Sequence, residues 1–162
     1  MPLLNALGLA RRDHPLAVGA PAPQIVTVDQ DGNRLDLGEL FKNGLTYLFF
    51  FPRANTPGCT LQACDLRDSY ARLQESGIRV VGVSRGKPEA LRDFHAAKKL
   101  PYPLAADTDK KVLRAFGVPL IFGLPARQSY LIRNGVVVWR DLHARVRAQA
   151  DDLLRALPNL PR

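Results

Sequence analysis

The chain of 162 residues is organised around the stretch Leu45–Cys64, which reads LTYLFFFPRANTPGCTLQAC. Its first part, Leu45–Phe51, is a continuous apolar run of strand length, and such a run is typical of a strand covered on both faces. Pro52 ends this run. From Thr56 the pattern becomes helical, because Thr56 suits an N-cap and the proline after it suits the first helical position. A buried strand that leads directly into a helix is therefore the centre of the predicted fold.

The predicted helix runs from Thr56 to Ser76, where Gly77 stops it. A single apolar stripe follows helical spacing along this segment. The residues of the stripe are Cys59, Ala63, Leu66, Tyr70 and Leu73. The stripe predicts that one face of the helix packs against the sheet.

Further strands and helices alternate on both sides of this centre. The predicted strands are Gln24–Val28, followed by an Asp31-Gly32 turn, then Ile78–Ser84, Leu104–Ala106, and a hairpin of Gln128–Arg133 and Val136–Arg140 around Asn134-Gly135. The predicted helices are Pro88–Lys99, Thr108–Phe116 ending at Gly117, and Arg145–Leu157. This order predicts an α/β fold, with a central mixed sheet and helices on both faces.

The composition is that of a folded globular protein. Hydrophobic residues make up 46% and charged residues 23% of the chain, and no apolar run approaches the length of a membrane span. The net charge of +8 is concentrated in residues 71–162, which hold seventeen Lys/Arg and eight Asp/Glu. These basic residues are scattered singly and lack interleaved aromatic residues, which argues against nucleic acid as a partner, and the lack of a long apolar run argues against a membrane. Such a surplus of positive charge is able to steer anions or an acidic protein partner, but a solvated basic surface is the favoured interpretation.

We expect residues 1–15 to form an N-terminal extension and residues 16–162 to form a single domain. In the extension, the positive charge follows the short apolar run instead of preceding it, which is the reverse of a secretory signal. The expected location is therefore cytoplasmic. In a reducing compartment, two neighbouring thiols are more often catalytic or metal-binding than joined in a static bridge.

Cys59 occupies a distinctive place in the predicted helix. With Thr56 as the N-cap, Cys59 lies in the first turn, where backbone N–H groups lack intrahelical partners and the helix dipole favours negative charge. Such a place raises the thiolate fraction of a cysteine. A buried cysteine that acts only as a small hydrophobic side chain is the alternative. The Thr-Pro-Gly sequence before Cys59 and the second thiol nearby favour a nucleophile.

Cys64 follows Cys59 by five residues, about 140° further around an ideal helix. Cα atoms five residues apart in a helix are separated by about 8 to 9 Å, which exceeds the limit of about 7 Å for a disulfide. A static bridge is therefore disfavoured. A transient bridge, formed after Cys59 is oxidised, requires the first turns of the helix to unwind.

A metal site is less consistent with the sequence. Structural zinc sites use four ligands, usually from CxxC pairs or mixed cysteine and histidine sets. The cysteines here are separated by four residues, and His14, His95 and His143 lie far from them in sequence. The same spacing argues against a reductase of the thioredoxin type, which requires CxxC at the start of a helix.

The spacing of Pro52, Thr56 and Cys59 resembles the active-site motif of the peroxiredoxins. The stretch TPGCTLQAC, with Cys64 five residues after Cys59, resembles the bacterioferritin-comigratory-protein or Q-type subgroup of that family. The similarity extends from about residue 16 to residue 157. It includes FFFP, IRVVGVS, LAAD and the strand that follows Arg127.

The resemblance implies a thioredoxin-like fold that reduces peroxides without a metal or an organic cofactor. It implies that Cys59 is the peroxidatic cysteine and Cys64 the resolving cysteine, joined in an intramolecular disulfide after oxidation. It also implies that Thr56 offers its hydroxyl to the peroxide, that Pro52 shields the thiolate from water and that Arg127 lies beside the sulfur. Fixed donors of this kind stabilise charge in the transition state, and an arginine is always charged.

The expected function is therefore that of a thiol-dependent peroxidase acting on hydrogen peroxide or an alkyl hydroperoxide. The resemblance further implies recycling by thioredoxin or a similar dithiol protein, and a monomeric state. A redox-sensing binding protein that uses the same Cys59–Cys64 switch is the alternative. The lack of an appended recognition domain favours the enzyme.

Overall fold

A computed structural model of the chain describes residues 14–160. Its centre is a five-stranded mixed sheet in the order β5-β4-β3-β8-β9. The strands of this sheet are β3 (Leu45–Phe50), β4 (Ile78–Ser84), β5 (Leu104–Ala106), β8 (Ser129–Arg133) and β9 (Val136–Asp141). The pairs β3–β4 and β4–β5 are parallel, and β3–β8 and β8–β9 are antiparallel. The prediction of a mixed α/β sheet is confirmed.

Two small hairpins lie outside the central sheet. The strands β1 (Val26–Val28) and β2 (Arg34–Asp36) pair around a turn that contains Gly32, which has a φ of 79°. The strands β6 (Leu120–Ile121) and β7 (Leu124–Pro125) pair in a second hairpin, whose tip exposes Phe122 completely. The first hairpin confirms the predicted strand and turn, although its first strand starts two residues later than predicted.

Within residues 14–160, six helices pack on the two faces of the sheet. They are α1 (Leu37–Phe41), α2 (Pro57–Asp68), α3 (Tyr70–Glu75), α4 (Pro88–Ala97), α5 (Lys111–Phe116) and α6 (Gln149–Ala156), and a 3₁₀ turn (Leu157–Asn159) comes after the last of them. Buried residues of α2, α3, α4 and α6 belong to one hydrophobic cluster, and those of α1 and α5 belong to a second. The sheet therefore has helices on both faces.

The strand β3 separates these two clusters. Tyr47 and Phe49 pack in the cluster beneath α2, and Leu48 and Phe50 pack in the opposite cluster. All four side chains are fully buried. Because successive side chains of a strand point to opposite faces, the apolar run fills both cores at once, as the sequence predicts.

All four predicted helices differ from the observed ranges, and α4 differs least, since it ends at Ala97 instead of Lys99. The segment predicted as one helix from Thr56 to Ser76 breaks at Ser69, whose ψ of 2° is not helical, and Leu73 is still fully buried beyond the break. The helix predicted from Thr108 starts only at Lys111, since the carboxylate of Asp107 accepts hydrogen bonds from N–H groups of its first turn. The last helix starts at residue 149 instead of 145, after a stretch of turns.

The predicted N-terminal extension lies almost entirely outside the described residues, so its boundary stays a prediction. Leu16 is buried in the second cluster, and its N–H donates to the carbonyl of Phe116 at 2.9 Å. Within residues 14–160, no helix has both the length and the apolar character needed to cross a membrane.

Gly82 allows the strands around it to pack closely, and this leads to a stability prediction. It lies in β4 between Phe49 and Leu104, and an added Cβ would lie 2.8 Å from a side-chain carbon of each. Because both neighbours are buried in the core, we expect Gly82→Ala to lower the free energy of unfolding by about 1–3 kcal/mol. Urea unfolding measures this loss.

Gly86→Ala is the matched control, since an added Cβ there would meet its nearest side-chain atom, on Leu91, only at 3.4 Å. We expect the free energy of unfolding of Gly86→Ala to stay within about 0.5 kcal/mol of the parent value. Equal unfolding midpoints for Gly82→Ala and the parent would contradict the packing argument.

Candidate active site

Cys59 is the third residue of α2 and is 1% exposed. Its Sγ atom accepts two hydrogen bonds, from the backbone N–H of Arg53 at 3.4 Å and from Nη2 of Arg127 at 3.4 Å. The backbone N–H groups in this first helical turn also favour negative charge. The thiol predicted to react therefore lies among donors that suit a thiolate.

The loop between β3 and α2 fixes one of these donors. The hydroxyl of Thr56 donates to the carbonyl oxygen of Arg53 at 2.9 Å, and the N–H on the other side of the same residue donates to Cys59, so this bond helps to hold Arg53 in place. Asn55 has a φ of 62°, a left-handed conformation that reverses the chain before the helix. Thr56 is at the N-cap position, as predicted, but its side chain does not cap the helix because its hydroxyl bonds to the loop instead.

The pairing of β3 with β8 fixes the other donor. The two strands are antiparallel, with Phe49 opposite Ser129, so the start of β8 lies beside the end of β3. Arg127 comes two residues before β8, and α2 begins soon after β3 ends. Cys59 and Arg127, which are 68 positions apart in the chain, therefore meet at one edge of the sheet.

Gln62 completes the site, although no sequence motif predicts its role there. It lies one turn after Cys59 and is fully buried, and its Oε1 accepts a short hydrogen bond from Nη1 of Arg127. Its Nε2 has no hydrogen-bond partner within residues 14–160. The sequence feature that could have indicated Gln62 is its position beside the apolar stripe, three residues after the candidate nucleophile.

Arg127 is left with its charge available to the sulfur. Within the described part of the chain, no carboxylate forms a salt bridge with its guanidinium. Its described partners are the neutral amide of Gln62 and the sulfur of Cys59. Because the sulfur is almost completely buried, the attraction between a guanidinium and a thiolate is screened less there than at an open surface.

Cys64 is half-buried and lies in the same unbroken helix as Cys59, and both thiols are free. Two side chains form hydrogen bonds that hold the helix in place around Cys64. The hydroxyl of Tyr102 donates to the carbonyl of Ala63 at 2.7 Å, and Nη1 of Arg67 donates to a loop carbonyl at 2.7 Å. Burial raises the pKa of Tyr102 well above its usual range, so the hydroxyl stays protonated and able to donate.

The structure thus brings Cys59 and Arg127 together, as predicted, and holds Thr56 in the adjoining loop. Pro52 is half-buried two residues after the end of β3, and its shielding of the sulfur stays a prediction. Among residues 14–160, no group of three or more His, Cys, Asp or Glu side chains could hold a metal ion. The groups that the site does bring together are a thiol and its hydrogen-bond donors.

Comparison with known sequences supports this description. The model of the AhpC/TSA family matches residues 18–140. A chloroplastic peroxiredoxin Q of Gentiana triflora is 42% identical over 122 residues, which cover 74% of this chain. A putative peroxiredoxin of Mycobacterium tuberculosis is 42% identical over 102 residues, which cover 63% of this chain and 64% of that protein. The match spans only 56% of the length of the plant relative.

Comparison with solved structures extends the similarity to nearly the whole chain. The peroxidoxin BcpB of Mycobacterium tuberculosis superposes with a TM-score of 0.82 at 29% identity, over 91% of this chain and 99% of that chain. A mutant of peroxiredoxin Q from Xanthomonas campestris superposes with a TM-score of 0.79 at 25% identity, over 91% and 99%. Since the family model matches most of the residues and these relatives are similar to the chain in sequence and in fold, the chain belongs to the AhpC/TSA family, the peroxiredoxins.

Proposed function

We propose that the protein is a thiol peroxidase that reduces hydrogen peroxide or an alkyl hydroperoxide. The observation that carries this proposal is the sulfur of Cys59, which accepts hydrogen bonds from Arg127 and from a backbone N–H. The thiolate attacks the terminal oxygen of the peroxide. The S–O bond forms as the O–O bond breaks, so Cys59 becomes a sulfenic acid and the departing oxygen takes a proton from solvent.

The donors around the sulfur assist this step in two ways. They stabilise the thiolate before attack, and they remain available when negative charge moves to the departing oxygen. The hydroxyl of Thr56 donates to the carbonyl of Arg53, so its lone pairs are free to accept a hydrogen bond from the O–H of the peroxide. In this proposal Pro52 keeps water away from the thiolate.

Cys64 then resolves the sulfenic acid. Its thiolate attacks the sulfur of Cys59, an S–S bond forms, and the hydroxyl group leaves as water after taking a proton. Both cysteines lie in α2, where an intact helix holds their Cα atoms about 8 to 9 Å apart. The start of α2 must therefore unwind before the disulfide can form.

An external dithiol protein of the thioredoxin kind would reduce the disulfide and complete the cycle. The net charge of +8 favours an acidic partner for this step. The chain's own thiols react with the peroxide and with the sulfenic acid, so the proposed cycle uses neither a metal nor an organic cofactor. A monomeric state and a cytoplasmic location stay predictions.

The proposal is tested by following peroxide consumption in the presence of thioredoxin, thioredoxin reductase and NADPH. Sustained turnover supports the peroxidase. Oxidation of one equivalent of protein followed by arrest would contradict it, and would instead indicate a redox-sensing binding protein that uses the same pair of thiols.

The first prediction concerns the reacting thiol. Cys59→Ser should abolish peroxide reduction, because a serine hydroxyl is not ionised at the pH of the assay and cannot replace the thiolate. Cys64→Ser is the matched control. It should reduce one equivalent of peroxide and then stop, with a Cys59 sulfenic acid that dimedone traps. Substantial turnover by Cys59→Ser would falsify the assignment.

The second prediction concerns Arg127. Arg127→Ala should slow the oxidation of Cys59 by about a hundredfold, because it removes a charged donor from the reacting sulfur. Stopped-flow fluorescence at varied peroxide concentration measures the rate. Arg72→Ala removes the same charge from an exposed salt bridge with Asp151 and should react like the parent. If the two variants react equally, Arg127 does not take part in the chemistry.

The third prediction is that disulfide formation unwinds the start of α2. Hydrogen exchange should quicken over residues 59–66 in the oxidised protein and stay slow beyond Tyr70. The boundary is set by the break at Ser69, where α2 ends and a separate helix begins. Parent-like protection over residues 59–64 after oxidation would show that the intramolecular disulfide is wrong.

Tyr102→Phe tests the same unwinding by rate. It removes the hydrogen bond to the carbonyl of Ala63, so α2 should open more easily by about 1 kcal/mol, and sulfenic acid should convert to disulfide about fivefold faster. Tyr130→Phe is the control, since it removes a buried hydroxyl from the opposite core. An equal rate in both variants would contradict the role of the Tyr102 bond.

A further inference from the structure

Gly58 is in closer contact with Arg127 than any larger residue would allow. An added Cβ at Gly58 would lie 2.7 Å from Nη2 of Arg127, and Nη2 is the nitrogen that donates to Cys59 at 3.4 Å. Gly58 is not among the glycines with a positive φ, so the backbone at this position does not itself require glycine. What matters at position 58 is therefore the space that the missing side chain leaves beside Arg127.

We propose that Gly58 is a positioning residue for the reaction of Cys59, because its bare Cα leaves the space in which the guanidinium of Arg127 reaches the sulfur. The proposal deepens the proposed function and rests on it. It assigns to the residue before the nucleophile a role that depends on another side chain. Gly58 touches neither the peroxide nor the reacting bond.

In a Gly58→Ala variant, we expect the side chain of Arg127 to move away from the added methyl group, while the backbone of the helix stays in place. Nη2 is the far end of a flexible side chain and can move by the several tenths of an ångström that an ordinary contact requires. Nη1, however, is held by the buried Oε1 of Gln62. Because the guanidinium is planar and rigid, moving Nη2 while Nη1 is held turns the group away from the sulfur. The fold should survive, and the contact with Cys59 should be lost.

Glycine also has a second effect, which the experiment must separate from this one. In the first turn of a helix, glycine lowers helix stability by up to about 1 kcal/mol relative to alanine. Alanine at position 58 would therefore make α2 harder to unwind and would slow the formation of the disulfide. That effect acts on the second step of the cycle, whereas the contact with Arg127 acts on the first.

The experiment uses the full chain in a Cys64→Ser background, so that Cys59 is the one thiol left and the second step cannot occur. The parent, Gly58→Ala, Arg127→Ala and the double variant are compared by two rates. These are the rate of alkylation by iodoacetamide, which reports the thiolate, and the rate of oxidation by hydrogen peroxide. We expect Gly58→Ala to lower both rates by about tenfold.

The double variant decides whether Gly58 acts through Arg127. If it does, Gly58→Ala has no further effect once Arg127 is alanine, and the double variant reacts at the rate of Arg127→Ala alone. Parent-like rates in Gly58→Ala would overturn the proposal. An additional tenfold loss in the double variant would also overturn it, because Gly58 would then act by another route.

Two controls complete the design. Gly86→Ala makes the same substitution where the added Cβ meets only ordinary contacts, and it should react like the parent. Near-ultraviolet circular dichroism of Gly58→Ala should match that of the parent. Loss of the folded spectrum would overturn the proposal, because the clash would then disrupt the fold and not only the position of Arg127. If the parent fails to reduce peroxide, the proposed function is wrong, and the alkylation rates still test Gly58.

Discussion

The site depends on a single contact, the hydrogen bond between the guanidinium of Arg127 and the sulfur of Cys59. It joins two segments that are 68 residues apart, and it forms because β8 runs antiparallel to β3 at the centre of the sheet. The start of β8 and the start of α2 are thereby brought to one edge. The aromatic residues of β3 are buried on both faces, so this edge cannot shift without disturbing two cores.

The side chains around the sulfur orient the guanidinium of Arg127 without neutralising its charge. Gln62 accepts a hydrogen bond from Arg127 but carries no charge, and no carboxylate within the described residues forms a salt bridge with that arginine. Burying the amide has a cost, since its Nε2 lacks a partner among residues 14–160. A neutral acceptor therefore orients the guanidinium and leaves its charge for the sulfur.

In the proposed cycle, the same helix must satisfy two opposing demands. While α2 is intact, it presents Cys59 to its donors and keeps Cys64 out of reach, which suits attack on a peroxide. Formation of a disulfide requires the opposite, a helix start that opens. The break at Ser69 separates α3 from the part of α2 that opens, whereas the bond from Tyr102 to Ala63 lies within that part and resists its opening. The segment that has to move is therefore short.

Local patterns in the sequence are sufficient to predict much of this protein. The apolar run of β3, the helix that begins after Thr56 and the place of Cys59 in its first turn depend on neighbouring residues alone, and the structure confirms them. The break at Ser69 and the late start of the last helix escape prediction, since turn geometry and tertiary contacts override propensity there.

The hydroxyl of Thr56 is the clearest example within the site. Its residue type correctly indicates the N-cap position, yet the hydroxyl bonds to the loop carbonyl of Arg53, a partner that the sequence does not specify. Gln62 and Gly58 acquire their importance only from Arg127, which reaches them across the pairing of β3 and β8. The sequence by itself determined the position of the candidate nucleophile and its helix, because both depend on local spacing. The tertiary structure alone decided which donors surround the sulfur, because strand order and register bring distant residues together.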